Sequence, residues 1–388
     1  MEEDNKNIDN WNELKKLWSE FLKLNKVVMS KQTKDSCLHL IVGVICMERG
    51  CFLGTEREKQ DLRSHYLKAD DSRTGKGLMA KFVLMILNKT IKKEDIIVTN
   101  KVTSEGLIGG WEGKGSQRRE VRGNCDKLLV YRDEFQRDLT RKDSDEILGI
   151  IRLNCNNYGG ADNLLKNSAR SQEDFPAYYG RATFLCTLTP AKLNKKKSEL
   201  LEDGTIQRFD VDFDEIDEMR SLEILDSMQI EDKDKGGREY RYSKQIEILD
   251  KICDVLNGIP RDKVVYINDD YYNGCVKNVK EKVKKYFEFD KRVGSVMHSL
   301  SVYELNLIMK YSARIAIIRG RNSITKEELE EAFDIIEIKI SNLISKANLF
   351  EADADEKFKL VRDCKVVLGK EPHTLMEIYK MIDRKSVV

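Results

Sequence analysis

Lys127-Leu-Leu-Val-Tyr-Arg-Asp-Glu-Phe135 ends an apolar run on two adjacent carboxylates. The run Leu128 to Tyr131 has the length and apolar character of a buried parallel strand. Such a strand delivers Asp133 and Glu134 to its carboxyl end, where α/β sheets hold ligands. There one carboxylate can hold Mg²⁺ through water while its neighbour polarises an attacking water. The other reading is an acidic loop after an ordinary strand, and in isolation the pattern favours that plainer reading. The decision therefore rests on what surrounds it.

Upstream stands Asp70-Asp-Ser-Arg-Thr-Gly-Lys-Gly77, which fits the back half of a phosphate-binding loop. A strand over Leu62 to Ala69 and an apolar helix over Leu78 to Leu87 give the strand, loop and helix that the motif needs. In that arrangement Ser72, Arg73, Thr74, Gly75, Lys76, Gly77 and Leu78 surround the nucleotide. Backbone N–H groups and the helix N-terminus cradle the phosphates, and Lys76 reaches the β/γ oxygens. Two departures stand out. Asp70 occupies the place of the first Gly, and Gly77 that of a Ser/Thr whose hydroxyl would meet Mg²⁺.

Two segments follow in the order an ATPase requires. Arg181-Ala-Thr-Phe-Leu-Cys-Thr-Leu-Thr-Pro190 is β-rich and places Thr189 at a strand's carboxyl end, where a hydroxyl can read the γ-phosphate or the water. Leu201-Glu-Asp-Gly-Thr-Ile-Gln-Arg-Phe-Asp210 sets Arg208 after a turn and before a strand over Phe209 to Phe213. An Arg in an edge loop can reach a neighbouring subunit's nucleotide.

Together these segments resemble the minichromosome maintenance (MCM) type of AAA+ ATPase, the replicative helicases of archaea and eukaryotes. Asp133-Glu-Phe-Gln-Arg is similar to the family's Asp-Glu-Phe-Asp-Lys. Arg181 through Pro190 matches in length a strand that there begins with Arg and ends in Asn-Pro. Gln207-Arg-Phe-Asp210 is similar to its Ser-Arg-Phe-Asp. Leu300-Ser-Val-Tyr-Glu-Leu305, Tyr311 to Arg319 and Ile324 to Phe333 resemble the closing helices of its lid. The similarity is scattered over roughly Leu38 to Leu343.

The resemblance implies an α/β fold: an AAA+ three-layer αβα P-loop core with a parallel sheet, followed by an all-α lid. It also implies ATP and Mg²⁺ as cofactors. Lys76 would bind phosphates, Asp133 would hold the metal, Glu134 would activate water and Thr189 would sense the γ-phosphate. Arg208, with Arg181, would act on an adjacent subunit's nucleotide in a homo-oligomer, by analogy a hexamer. Thr189 replaces a sensor Asn, and Tyr303 takes the place of the lid's sensor Arg, which removes a charge-assisted phosphate contact. Nucleotide binding is thus a firmer expectation than fast hydrolysis.

The family's DNA-handling elements have counterparts by position. Glu105 to Glu120 is Gly-rich and offers Trp111 for stacking and Lys114, Arg118 and Arg119 for phosphates. It resembles an insertion that interrupts a helix and projects into the central channel. Gly159 to Gly180 carries Lys166 and Arg170 where the family has a hairpin with a basic tip. A mobile surface loop explains the first segment equally well from composition, and a lone basic residue on a loop is usually only solvated, so the second assignment rests on position.

Lys+Arg and Asp+Glu nearly cancel at 68 against 67 although charged residues make up 35% of the 388. No global basic field exists, so contact with DNA has to be local and made to the backbone. Nine cysteines without a Cys-x-x-Cys pair, and four histidines that do not cluster with them, argue against a disulfide framework or zinc ribbon. No signal-like or membrane-length apolar run occurs, so the expectation is a cytoplasmic protein without a membrane partner.

The expected organisation is a helical segment over 1–58, the ATPase core over 59–215, a helical lid over 216–345 and a short tail over 346–388. The first segment holds an amphipathic helix over Trp11 to Asn25 and another over Ser36 to Glu48. Lid helices are expected at about Lys244 to Asn257, Gly274 to Phe287 and Val302 to Ile318, with Thr325 opening a fourth through a Thr-x-x-Glu capping pattern. The tail suits a packing helix better than a truncated winged helix. The family's large N-terminal DNA-binding region is not expected, because the nucleotide loop stands near residue 70. Three functions compete. The first is a ring that couples ATP hydrolysis to DNA translocation in replication, in a plasmid, virus or integrated element. The second is an ATP-gated assembly or initiator with weak hydrolysis. The third, a monomeric P-loop phosphotransferase, leaves Arg208 and the lid unexplained.

Overall fold

A computed structural model describes residues 9–54, 59–70, 76–113, 117–167, 174–189, 200, 204–214, 222–223, 225–226, 235–289 and 291–346. Its centre is a five-stranded sheet of β1 (His65–Asp70), β2 (Ile96–Thr99), β3 (Leu129–Arg132), β4 (Thr183–Leu188) and β5 (Phe209–Asp214). The spatial order is β5-β1-β4-β3-β2, and every neighbouring pair is parallel. All residues of β1, β3 and β4 are buried, so β3 and β4 read as largely apolar runs rather than alternating ones, while β1 also buries His65, Lys68 and Asp70.

Strand limits differ from the sequence expectation where polar residues find partners. β1 starts at His65, three residues later than Leu62, because Lys59–Asp61 pairs in another sheet. β3 extends to Arg132, which is fully buried; Asp138 and the carbonyl of Thr99 satisfy its guanidinium. The polar residue that seemed to end the strand is thereby part of it.

Helices α1 (Asn10–Leu24) and α2 (Lys31–Glu48) precede the sheet, and α3 (Lys76–Thr90) follows β1. Asp9 caps α1 by accepting from the backbone N–H groups of Trp11 and Asn12, and Ser30 caps α2 by accepting from Thr33. That cap starts α2 five residues before Ser36. α2 packs on β1 and β5 and is buried along most of its length. Gly43 permits the approach: a Cβ there would lie 2.9 Å from the carbonyl oxygen of Leu62 and 3.2 Å from the guanidinium carbon of Arg314.

The region expected to form a lid contains α5 (Lys235–Asn257), α6 (Asp269–Phe289), α7 (Lys291–Ile318) and α8 (Lys326–Lys346), while α4 (Ser144–Cys155) lies between β3 and β4 in the chain. Thr325 opens α8 as expected, its backbone N–H donating to Glu328 over 2.8 Å. The all-α expectation for the lid needs correction. Val264–Ile267 and Ser323–Ile324 are strands that join Phe52–Gly54 and Lys59–Asp61 in a second, four-stranded sheet. Val264-Val-Tyr-Ile267 is a β-favouring run, and Phe52–Gly54 supplies the parallel partner that neither segment has in sequence. α1 is tied to the lid too: Trp11 donates to Glu331 over 2.8 Å, and Arg319 pairs with Asp9 at 3.1 Å.

Among the described residues no helix is long and apolar enough to cross a membrane. The tail beyond α8, from 347 onward, lies outside them.

Candidate nucleotide site at the carboxyl edge of the sheet

The register aligns the strand ends. Leu188 stands opposite Ala69 and Cys186 opposite Arg132, so β4 lies between the strand that leads to the loop and the strand that leads to the carboxylates. Adjacent strands are about 4.8 Å apart, which puts the ends of β1 and β3 roughly 10 Å from each other. Beyond the end of β4, that stretch of the sheet's carboxyl edge is wide enough for a phosphate and a hydrated cation. α3 begins at Lys76, directing its N-terminal dipole to this edge. Ser72, Arg73, Thr74 and Gly75 lie outside the described residues. Gly77 and Leu78 are exposed in the first turn of α3, and a Cβ on Gly77 would meet nothing within 4 Å.

Across the gap the carboxylates follow β3 directly. The Thr187 hydroxyl donates to Asp133 Oδ1 over 2.6 Å, and the backbone N–H of Glu134 donates to the same oxygen over 3.1 Å. The N–H of Phe135 donates to the carbonyl of Thr187 over 2.8 Å, so β4 continues to hold the chain beyond the last residue of β3. Glu134 adopts φ +54°, a left-handed conformation that costs a side-chain-bearing residue about 1 kcal/mol. Its carboxylate is half exposed and pairs with Arg137. Beneath them Tyr131 is buried; burial first, and the Asp133 carboxylate second, push its phenol up to about 12.

No family model matches the chain, and no curated protein is detectably similar to it. The site has to be argued from its own residues. Among the described residues no cluster of three or more His, Cys, Asp or Glu gathers as a metal cage. Asp133 is half-buried, with the Thr187 hydroxyl and the Glu134 N–H on its Oδ1 and the Tyr131 phenol in hydrogen-bonding contact with the carboxylate.

The remaining candidates sort by position. Thr189 directly follows β4 and is half-buried, one residue beyond the level of Glu134. Arg208 precedes β5 at the amino end of the sheet, roughly 13 Å of strand below the level of the carboxylates and three strands to the side. It donates to the Gly204 carbonyl over 2.7 Å and to Asn156 over 3.3 Å. Arg181 is also at the amino end, held by Asp95 at 2.8 Å and the carbonyl of Asp126 at 2.6 Å. Neither reaches its own chain's carboxylates. Tyr303 is buried, and its hydroxyl accepts from the N–H of Val211 over 3.2 Å, so it braces the lid on β5.

The two proposed DNA segments lie side by side. The first is a short helix, Ser104–Ile108, running into an antiparallel hairpin of Gly109–Glu112 and Arg119–Arg122. The second pairs Leu164–Leu165 with Tyr178–Tyr179. Asn167 donates to the Gly109 carbonyl over 2.6 Å, Trp111 meets Phe175 edge to face, and Arg118 pairs with Asp174. Arg119 is exposed and bonds Glu112 over 3.0 Å, while Lys166 is exposed. Lys114 and Arg170 lie outside the described residues.

Sequence reasoning singled out Thr189 and passed over Thr187, Arg132, Asp138 and Asp174. A buried-strand reading of Thr183 to Leu188 could have flagged Thr187, since a hydroxyl in such a run needs a partner. Nothing local marks Asp174.

Proposed function

We propose that this chain is an MCM-like AAA+ ATPase that acts in the cytoplasm, assembles into a ring and couples ATP hydrolysis to movement along DNA in replication. The carrying observation is the strand order β5-β1-β4-β3-β2 with Asp133, at the end of β3, clasped by Thr187 of the neighbouring β4. The interposed strand β4 lies beside both the strand that leads to the phosphate loop and the strand that leads to the carboxylates, so one element can contact both sides. In this reading Lys76 holds phosphates, Asp133 orients the Mg²⁺ that neutralises them, and Glu134 takes the proton of the attacking water. Thr189 senses the γ-phosphate. Arg208 serves a neighbouring subunit, which accounts for its distance from the carboxylates of its own chain, whereas Arg181 serves the core through Asp95 and Asp126.

A second reading, an ATP-gated assembly with slow hydrolysis, is favoured by the Glu134 to Arg137 pair, which occupies the general base. Measured turnover decides between them. With DNA present the wild-type chain should hydrolyse ATP, and Glu134→Gln should abolish turnover while keeping ATP affinity. Background turnover in the wild type together with ATP-dependent oligomerisation selects the assembly reading. A chain that stays monomeric with ATP and DNA by light scattering refutes both.

A further inference from the structure

We propose that Thr187 is the positioning residue that aims Asp133 at the Mg²⁺ of the nucleotide, doing from the middle of the sheet part of what the absent hydroxyl at Gly77 cannot do. The inference rests on the nucleotide-binding reading and extends it to a residue that carries no direct contact with ATP.

The Thr187 hydroxyl and the Glu134 N–H converge on Oδ1 of Asp133 at 2.6 and 3.1 Å. Two donors on one oxygen fix the rotation of the carboxylate, and the buried Tyr131 phenol, in hydrogen-bonding contact with both Asp133 and Thr187, braces the pair from beneath. Thr187 is itself 1% exposed, and its branched Cβ restricts the side chain to few rotamers. Its carbonyl accepts from Phe135, so the same residue pins the backbone on the far side of Asp133 and Glu134. A polar side chain buried in the otherwise apolar run Phe184 to Leu188 would be costly without such a partner. Groups that orient a metal-holding carboxylate from behind typically alter metal affinity by about 10- to 100-fold when removed.

The test measures binding of a fluorescent ATP analogue to the full-length chain across a Mg²⁺ titration, with thermal melts as a control for folding. Thr187→Val keeps the shape and removes the donor; Thr187→Ser keeps the donor. Thr187→Val should raise the half-saturating Mg²⁺ concentration about 10-fold while Mg²⁺-free binding stays constant, and Thr187→Ser should restore the wild-type value. Unchanged Mg²⁺ dependence in Thr187→Val overturns the proposal. An equal loss of binding with and without Mg²⁺ also overturns it, because that is the signature of a merely structural residue. A wild-type chain that does not bind the analogue under either condition overturns the nucleotide reading itself, and the aim of Asp133 with it.

Discussion

Arg118 grips Asp174 through two hydrogen bonds of 2.7 Å each, and its guanidinium carbon sits 4.5 Å from the centre of the Trp111 ring. The fork joins the two hairpins and at the same time occupies the cation that the first of them would offer to a phosphate. Both partners reach solvent, so a phosphate can compete for Arg118 at small cost. Asp174→Ala should therefore tighten binding of single-stranded DNA by roughly twofold to fivefold and steepen its salt dependence by about one counterion. Arg118→Ala should weaken binding alike for unrelated sequences. Filter binding at several salt concentrations checks both, and an Asp174→Ala variant that binds no better would remove Arg118 from the DNA surface.

Behind the carboxylates, Arg132 and Asp138 form a buried ion pair, 0% and 1% exposed, with 2.9 Å from Nε to Oδ2. Desolvation raises the Asp138 carboxyl, and the Arg132 hydrogen bond opposes that rise. Removing one partner strands the other charge in the core. Asp138→Ala should cost about 3–5 kcal/mol in urea unfolding, and the double variant Arg132→Met with Asp138→Leu should recover most of it. Additive losses in the double variant would show that the pair contributes through something other than mutual compensation.

The sheet and its carboxylates were legible because buried parallel strands advertise themselves as apolar runs: Leu128 to Tyr131 located Asp133 and Glu134 correctly. Asp133's partner was not legible. Periodicity assigns Thr187 to a face of β4, but only the register, Cys186 opposite Arg132, brings it beside Asp133. The second sheet was missed for the same reason, since Phe52–Gly54 and Val264–Ile267 are too short to signal alone and are some two hundred residues apart in sequence. Arg208 and Arg181 looked alike as free cations, yet the carbonyls that hold them belong to turns whose geometry no spacing encodes.

Two core histidines make stability depend on pH. His39 stacks on Tyr311 at 3.7 Å without a partner for either nitrogen, and His65 Nδ1 accepts from the N–H of Phe184 over 3.1 Å. Burial first, then Arg314 and Lys339 beside His39 and Arg63 and Lys310 beside His65, hold both well below the usual imidazole range. A depressed folded-state value means that stability is whole above the unfolded value near 6.5 and is lost as pH falls below it. Each neutral histidine contributes a slope of about 1.4 kcal/mol per pH unit there. His39→Phe keeps the stacking and should reduce the loss of unfolding free energy between pH 6.5 and 5.5 by about 1 kcal/mol, since the full slope is reached only below that range. An unchanged pH slope would assign the acid sensitivity to other groups.

Gly77 stands in the first turn of α3 with no atom within 4 Å of where its Cβ would be, so its identity is not a steric necessity. If the first turn of α3 faces the nucleotide, as the proposed function requires, a hydroxyl at that place gives Mg²⁺ a second protein oxygen. Gly77→Ser should lower the half-saturating Mg²⁺ concentration for ATP binding on the order of 10-fold. It should also stabilise the helix by about 0.5 kcal/mol, because Gly is the poorer helix residue. Gly77→Ala separates the two effects, since it provides the helical gain without the oxygen. If serine and alanine variants show the same Mg²⁺ dependence, the first turn of α3 does not face the cation, and the phosphate loop has to be placed elsewhere on the sheet edge.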